Sequence, residues 1–144
     1  MNKKNQSMPR RIGAAGFTLI EMLAVIVLIG IVASIVVTQV GKRMNSGKYK
    51  AGDAKLQSLS MKIENYALDN GNPPSDLEAL VKDPGGTTMW NGPYAKESDI
   101  KDPFGHEFGY KVPGDHGSTF DLIFYGKDGK PGGDGLNKDV GNWQ

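Results

Sequence analysis

One apolar run, residues 17–37, constrains this chain more than any other feature, because it contains a single carboxylate, Glu21. Only two other polar side chains interrupt the run, Thr18 and Ser34. As an α-helix with a rise of about 1.5 Å per residue, the run is roughly 30 Å long, the thickness of the hydrocarbon core of a bilayer. An ionised Glu at the bilayer centre costs about 2.5 kcal/mol or more, and less near an interface. The run therefore predicts a membrane-spanning helix in which Glu21 is either a functional charge with a partner or an ordinary charge at the membrane surface.

The residues before the run indicate a processing site. Residues 1–16 contain no acid, end in four small residues, and carry four cations, Lys3, Lys4, Arg10 and Arg11. A secretory signal has its cleavage site after the apolar region, whereas the small residues here lie before it. Cleavage between Gly16 and Phe17 would remove the basic leader, keep the anchor, and create an amine about one helical turn from Glu21.

The sequence Gly16-Phe17-Thr18-Leu19-Ile20-Glu21 resembles the processing signal of the type IV pilin superfamily. The resemblance implies that a prepilin peptidase cuts after Gly16 and N-methylates Phe17. It also implies that Glu21 pairs with the N-terminal amine of a neighbouring subunit in a helical fibre. The implied location is the bacterial inner membrane, with one span, a cytoplasmic N-terminus and a periplasmic C-terminal domain.

Glycine-containing motifs further along the chain resemble, more narrowly, those of the major pseudopilins of type II secretion; they lie at residues 102–105, 114–117, 126–129 and 141–143. This resemblance implies a structural subunit and not an enzyme. The subunit would form a homopolymer, the pseudopilus, that drives export of folded proteins, with minor pseudopilins and an inner-membrane assembly platform as partners. The sequence departs from the family in a longer leader and in Thr38, where relatives often have Pro.

The predicted fold is α+β, with a long N-terminal helix packed on a small antiparallel sheet. The helix comprises a membrane and assembly segment, residues 17–40, and an amphipathic continuation, residues 41–71, ended by Gly71 and two prolines. Residues 72–144 form the small periplasmic domain. Ser75 and Glu78 have the spacing of a capping box, which predicts a short helix through Val81. Alternating patterns predict strands over residues 107–112 and 119–125.

An acidic, glycine-rich loop, residues 126–142, is the candidate metal site. Asp128, Asp134 and Asp139 offer hard oxygen ligands, and glycines let main-chain carbonyls approach a cation. From the residues alone, these carboxylates are either calcium ligands or solvated turn residues. The pseudopilin resemblance implies one Ca²⁺ in this loop, with Asp128 and Asp139 as the best side-chain ligands and Asp134 as a third. The carbonyls of Tyr125 and Lys130 are further candidates.

Composition excludes several other classes of function. Without residues 1–16 the chain has three more acids than bases, which argues against a nucleic-acid-binding surface. His106 and His116 lack the spacing of zinc ligands, and there is no cysteine. Trp143 is interpreted as a hydrophobic plug that pins the loop, or else as a partner-binding aromatic.

Two alternatives to a pseudopilus subunit remain open at this stage. The chain could be a type IV pilus subunit for adhesion or DNA uptake, although those pilins often close a C-terminal loop with a disulfide. It could also be a membrane-tethered calcium-binding or enzymatic domain that never polymerises.

Overall fold

The computed structural model describes residues 16–86 and 89–144. The predicted leader therefore lies outside the described residues, apart from Gly16. One long helix, α1, spans Leu19–Asn70, and a three-stranded sheet follows it. The chain divides between Gln39 and Val40 into two units, an N-terminal one and a C-terminal one that contains all of the sheet.

The helix ends where the sequence predicts. Gly71 follows the last helical residue with φ of 85°, a conformation that favours glycine, and its N–H donates to the carbonyl of Ala67 at 2.8 Å. At Thr38 the helix is uninterrupted, and the hydroxyl of Thr38 donates to the carbonyl of Ile35 at 2.8 Å. Threonine retains the backbone N–H that proline would lack, so nothing at this position breaks the helix.

The second half of α1 carries one face of the domain core. Leu56, Leu59 and Ile63 are at most 1% exposed, as their helical spacing predicts. Gly52 lies on the same face, one turn before Leu56. A Cβ on Gly52 would overlap the ring of Phe124, so this glycine lets the ring contact the helix backbone.

The sheet is antiparallel, with the order β1-β2-β3. Its strands are β1, Gly109–Lys111; β2, Asp121–Phe124; and β3, Val140–Gly141. In this register Tyr110 faces Leu122, and Phe124 faces Val140. The buried apolar side chains form one cluster: Leu56, Leu59, Ile63, Tyr66, Ala79, Leu80, Ala95, Phe108, Phe120, Leu122 and Phe124.

Several predicted boundaries in the domain were wrong. The first two strands are shorter than predicted, and β3 lies within residues 126–142, which were predicted to form a loop. The predicted helix after Pro74 is a single 3₁₀ turn, Leu77–Leu80, and its cap is Asp76 and not Ser75. The carboxylate of Asp76 accepts from the N–H of Ala79 at 3.0 Å, because Asp76 itself is in the extended conformation that an N-cap requires.

Two lysines of α1 hold the segment that precedes the sheet. The ammonium of Lys55 donates to the carbonyls of Ser98 and Lys101, the latter at 2.5 Å. Lys62 forms an ion pair with Asp99 at 2.6 Å. This hydrogen-bonded ion pair, together with the N–H of Lys96, holds the pKa of Asp99 below its usual range. The long helix is thus fixed to the domain by polar contacts as well as by the core.

Candidate functional site

The first half of α1 presents apolar side chains over its whole surface. An 18-residue window of the helix has a mean hydropathy of 2.9, and none of that window is buried within the chain. Leu19 is 87% exposed, and Val37 is 71% exposed. Apolar surface on this scale needs a bilayer or other apolar helices around it. The segment is therefore a membrane anchor by length and composition.

Glu21 closes the first turn of α1. Its Oε2 accepts the N–H of Thr18 at 2.7 Å and the hydroxyl of Thr18 at 2.8 Å. In return, the N–H of Glu21 lies 3.3 Å from the hydroxyl oxygen of Thr18. This reciprocal pair is a capping box with Thr18 as N-cap and Glu21 as the third helical residue. No donor from the described part of the chain reaches the second oxygen, Oε1, within hydrogen-bond distance.

The hydrogen bonds between Glu21 and Thr18 of the same chain were not predicted from the sequence. The Thr-x-x-Glu spacing was a visible signal for this cap. The carboxylate also lies at the N-terminal end of the helix, where the helix dipole favours negative charge.

The predicted cleavage site lies just before the cap. Gly16 and Phe17 are both exposed and precede the first helical residue, and Phe17 is 79% exposed. A peptide bond outside regular structure is accessible to a peptidase without unfolding the helix.

The acidic loop is held by the domain. Gly126 is buried with φ of 65°, and a Cβ there would overlap the backbone of Asn137. Beside it, the N–H of Lys127 donates to the carbonyl of Leu136 at 2.8 Å, which closes the loop on itself. The hydroxyl of Tyr49 on α1 donates to the carbonyl of Lys138 at 2.9 Å. The loop is therefore tied both to itself and to the helix.

Asn142 ties the end of the loop to the sheet. Its side-chain oxygen accepts the N–H of Leu122 at 2.9 Å, and its side-chain nitrogen donates to the carbonyl of Phe120 at 3.2 Å. The amide side chain thereby continues the hydrogen bonding between β2 and β3 beyond the end of β3.

The three predicted carboxylates occupy different environments. Asp139 Oδ2 accepts the N–H of Gly132 at 2.7 Å, while its Oδ1 is buried without a hydrogen-bond partner. Asp128 is exposed, and its Oδ1 accepts the N–H of Lys130 at 3.3 Å. Asp134 is exposed and precedes a 3₁₀ turn, Gly135–Asn137, without capping it through its side chain.

A metal would have to draw on main-chain oxygens as well as on these side chains. Within residues 16–86 and 89–144, no three His, Cys, Asp or Glu side chains are grouped as metal ligands would be. Tyr125 directly follows β2, and Lys130 lies beside Asp128, so both belong to the same loop region. The buried, unpartnered Oδ1 of Asp139 fits a hard cation, because such an atom is costly to leave unsatisfied.

Two His–Asp pairs were not predicted from sequence. His116 Nδ1 lies 2.8 Å from Oδ2 of the buried Asp121, and His106 Nδ1 lies 3.4 Å from Oδ2 of the buried Asp102. Both histidines lie in loops, and neither belongs to a metal-ligand group within the described residues. The ring of His116 also stacks on Trp143, with centroids 3.7 Å apart.

Comparison with known proteins covers almost the whole chain. The family model described as type II secretion system (T2SS), protein G, matches residues 39–143, and the prokaryotic N-terminal methylation motif matches residues 12–37. A type II secretion system core protein G from Xanthomonas campestris is 48% identical over 132 residues, covering 92% of each chain. One of the same name from Pseudomonas aeruginosa is 40% identical and covers 90% of this chain and 94% of its own.

A solved structure supports the same assignment. The major pseudopilin of the type 2 secretion system of enterohaemorrhagic Escherichia coli is 26% identical, with a TM-score of 0.51. The match covers 71% of this chain and 91% of that one.

An exposed apolar helix with a methylation motif at its start and a small antiparallel sheet beyond it defines a pilin-like, membrane-anchored structural subunit. These relatives are proteins of type II secretion and not of type IV pili, so they narrow the class to subunits of type II secretion. The chain belongs to the type II secretion system protein G family, whose members are structural pseudopilin subunits and not enzymes.

Proposed function

We propose that this pseudopilin is inserted in the bacterial inner membrane with its N-terminus in the cytoplasm and its domain in the periplasm. A prepilin peptidase cuts between Gly16 and Phe17 and methylates the new amine. The subunit then polymerises with copies of itself on an inner-membrane assembly platform, together with minor pseudopilins. The observation that carries this mechanism is the geometry of Glu21, which uses Oε2 for its own helix cap and leaves Oε1 without a hydrogen bond from the described residues.

This arrangement gives Glu21 two separate roles. Thr18 supplies hydrogen bonds that fix the position of the carboxylate at the helix start. Oε1 can then accept the positive amine of a second subunit. In an apolar surrounding this pairing is strong, and removing one partner leaves the other charge without a counter-ion. A subunit out of register therefore loses much of the gain from docking.

The substitution Glu21→Gln separates the cap from the charge, because Gln also serves at the third position of a capping box. We expect the variant to insert in the membrane and to be cut at Gly16, but to form no fibres in electron micrographs. Thr18→Ser is the matched control, since it keeps the hydroxyl that contacts Glu21. Normal fibres from Glu21→Gln would contradict the assembly mechanism, whereas an uncut chain would contradict the processing step.

We further propose that the loop 126–142 binds one Ca²⁺, with Asp139 and Asp128 as side-chain ligands. Asp134 and the carbonyls of Tyr125 and Lys130 complete the candidate set. The unpartnered, buried Oδ1 of Asp139 supports this proposal. A bound Ca²⁺ would offset the repulsion between its carboxylate ligands and stiffen the loop, whose C-terminal part Tyr49 and Asn142 already hold to the domain.

Calcium binding predicts a rise in thermal stability that depends on Asp139. If the affinity is that of an extracellular module, about 10⁻⁴ to 10⁻³ M, then a hundredfold excess over Kd stabilises the fold by about 2.7 kcal/mol. Calorimetry with Ca²⁺ and with chelator should show this shift in the unaltered chain and in Glu97→Gln, an exposed control outside the loop. Asp139→Asn should abolish the shift. Equal melting of the unaltered chain in both conditions would exclude the site.

A further inference from the structure

The part of α1 that follows the anchor carries four exposed cations, Lys42, Arg43, Lys48 and Lys50, called here the basic collar. From residue 22 to residue 52 the sequence contains no Asp or Glu. Because residues 17–144 as a whole have three more acids than bases, the collar is a local concentration of positive charge in an otherwise acidic chain.

The collar surrounds the helix and does not lie on one face. At about 100° per residue, Arg43 and Lys50 lie about 20° apart, roughly opposite the side that packs on the domain. Lys42 and Lys48 flank the packed side, and the ammonium of Lys48 lies 5.6 Å from the ring centroid of Phe104. A planar partner on one side could not meet all four cations, whereas a layer that encloses the helix could.

The collar cations have no ion-pair partner among residues 16–86 and 89–144. The four pairs found there involve other residues. Two carboxylates lie near Tyr49 in the middle of the collar, those of Asp53 and Asp139, and neither pairs with a collar side chain within 4.0 Å. The charges are therefore available to an external anion.

The position of the collar along the helix matches the headgroup layer of a bilayer. Helix from Leu19 to Val40 is about 33 Å long, close to the hydrocarbon thickness of about 30 Å. Lys42 and Arg43 begin about 3–5 Å beyond Val40, within a headgroup layer some 5–7 Å deep. Lys48 and Lys50 lie about 12–15 Å beyond Val40, at the distance where screening by salt becomes strong.

We propose that the basic collar is a binding site for the phosphate groups of anionic phospholipids, with Lys42 and Arg43 in direct contact and Lys48 and Lys50 adding longer-range attraction. Each cation near an anionic surface contributes about 1 kcal/mol, which is about a fivefold preference. The collar thereby holds the chain in the bilayer, and its lipid contacts must break when the chain leaves the membrane. The inference requires only that the helix spans a membrane and does not depend on polymerisation.

The test uses the full chain in nanodiscs of phosphatidylcholine with a quarter of phosphatidylglycerol. Spin-labelled lipids report which headgroup is immobilised by the protein. We expect spin-labelled phosphatidylglycerol to be preferred over phosphatidylcholine about fivefold or more, and Lys42→Gln/Arg43→Gln to remove most of that preference. Any contribution of the basic leader is the same in both chains, so the difference reports the collar alone.

Two further variants distinguish a specific site from general charge. Lys42→Arg/Arg43→Lys keeps both charges and should keep the preference. Lys82→Gln/Lys96→Gln removes two exposed cations elsewhere in the domain and should also keep it. Equal losses from the collar and control substitutions, or no preference in the unaltered chain, would overturn the proposal.

Two further measurements distinguish lipid phosphate from a free anion and from a second copy of the chain. Inorganic phosphate should displace spin-labelled phosphatidylglycerol no better than chloride at equal ionic strength. Specific displacement by phosphate would show that the collar binds a free anion. If the collar substitutions leave the lipid preference unchanged but abolish cross-linked dimers in pure phosphatidylcholine, the collar binds a second copy and the lipid proposal is wrong.

Discussion

Asp121 shows how tertiary contacts can reverse a residue's expected environment. Strand alternation predicts that its side chain lies on the other face of the sheet from Phe120 and Leu122, away from the core. Asp121 is nevertheless only 2% exposed. The turn after β1 folds over it, so that the N–H of Asp115 donates to its Oδ2 at 2.8 Å and His116 Nδ1 lies at the same distance. Burial alone would raise the pKa of Asp121, but these hydrogen bonds and the neighbouring His116 outweigh it and lower the pKa.

The lowered pKa predicts loss of stability in acid. An unfolded Asp has a pKa of about 3.9, so the ionised carboxylate stabilises the fold above about pH 4, and this contribution is lost as the pH falls through the lower, folded-state value. Urea unfolding measured across this pH range should show that the free energy of unfolding falls more steeply with decreasing pH for the unaltered chain than for Asp121→Asn. Asp115→Asn is the control, since its exposed carboxylate pairs only with Lys111 at the surface. An unchanged slope in Asp121→Asn would contradict the assignment.

At the scale of elements, α1 was the most predictable part of the fold. Its apolar run, its later 3.6-residue periodicity and its Gly71 stop are all local signals, and the helix follows them. β3 has only two residues, Val140 and Gly141, and therefore no alternation from which a strand could be predicted. Ser75 and Asp76 are both residue types that cap helices, so the sequence could not decide between them. The structure decides for Asp76, whose backbone is in the extended conformation of an N-cap. The position of the loop likewise depends on contacts distant in sequence, such as that between Tyr49 and Lys138.

Two glycines of α1 should respond oppositely to alanine. At Gly52 a Cβ overlaps the ring of Phe124, which is fully buried and cannot move away, so we expect Gly52→Ala to destabilise the domain by about 1–3 kcal/mol. At Gly47 nothing lies within 4 Å of the added Cβ, so Gly47→Ala should stabilise by up to about 1 kcal/mol through helix propensity. Denaturant unfolding of the two variants measures both effects. If both substitutions changed the free energy of unfolding equally and with the same sign, the contact between Gly52 and Phe124 would not determine the effect of Gly52→Ala.

At the scale of the whole molecule, the anchor and the domain are stabilised by different means. Every buried side chain described lies beyond residue 50, in the unit that begins at Val40. The N-terminal unit is exposed throughout its described part and depends on its surroundings for apolar contacts.

This division predicts that a chain beginning at Val40 folds without the anchor. Its thermal unfolding should remain cooperative, and it should stay in solution when vesicles of phosphatidylcholine alone are sedimented. Leu56→Ala in the same shortened chain should cost about 2–5 kcal/mol, since Leu56 is fully buried. A shortened chain without a cooperative transition would show that the domain needs the anchor for its fold.

The cap formed by Thr18 and Glu21 has a consequence for chemical synthesis of the anchor. Because the side-chain hydrogen bonds of this cap join Thr18 to Glu21, residue 17 takes no part in them and can carry a small label. An isotopically enriched Phe17, joined by peptide ligation, would leave the first turn intact and keep the amine that Glu21 of another subunit is proposed to bind. This isotope label would lie close to the carboxylate and would report, in reconstituted membranes, when a second protomer arrives.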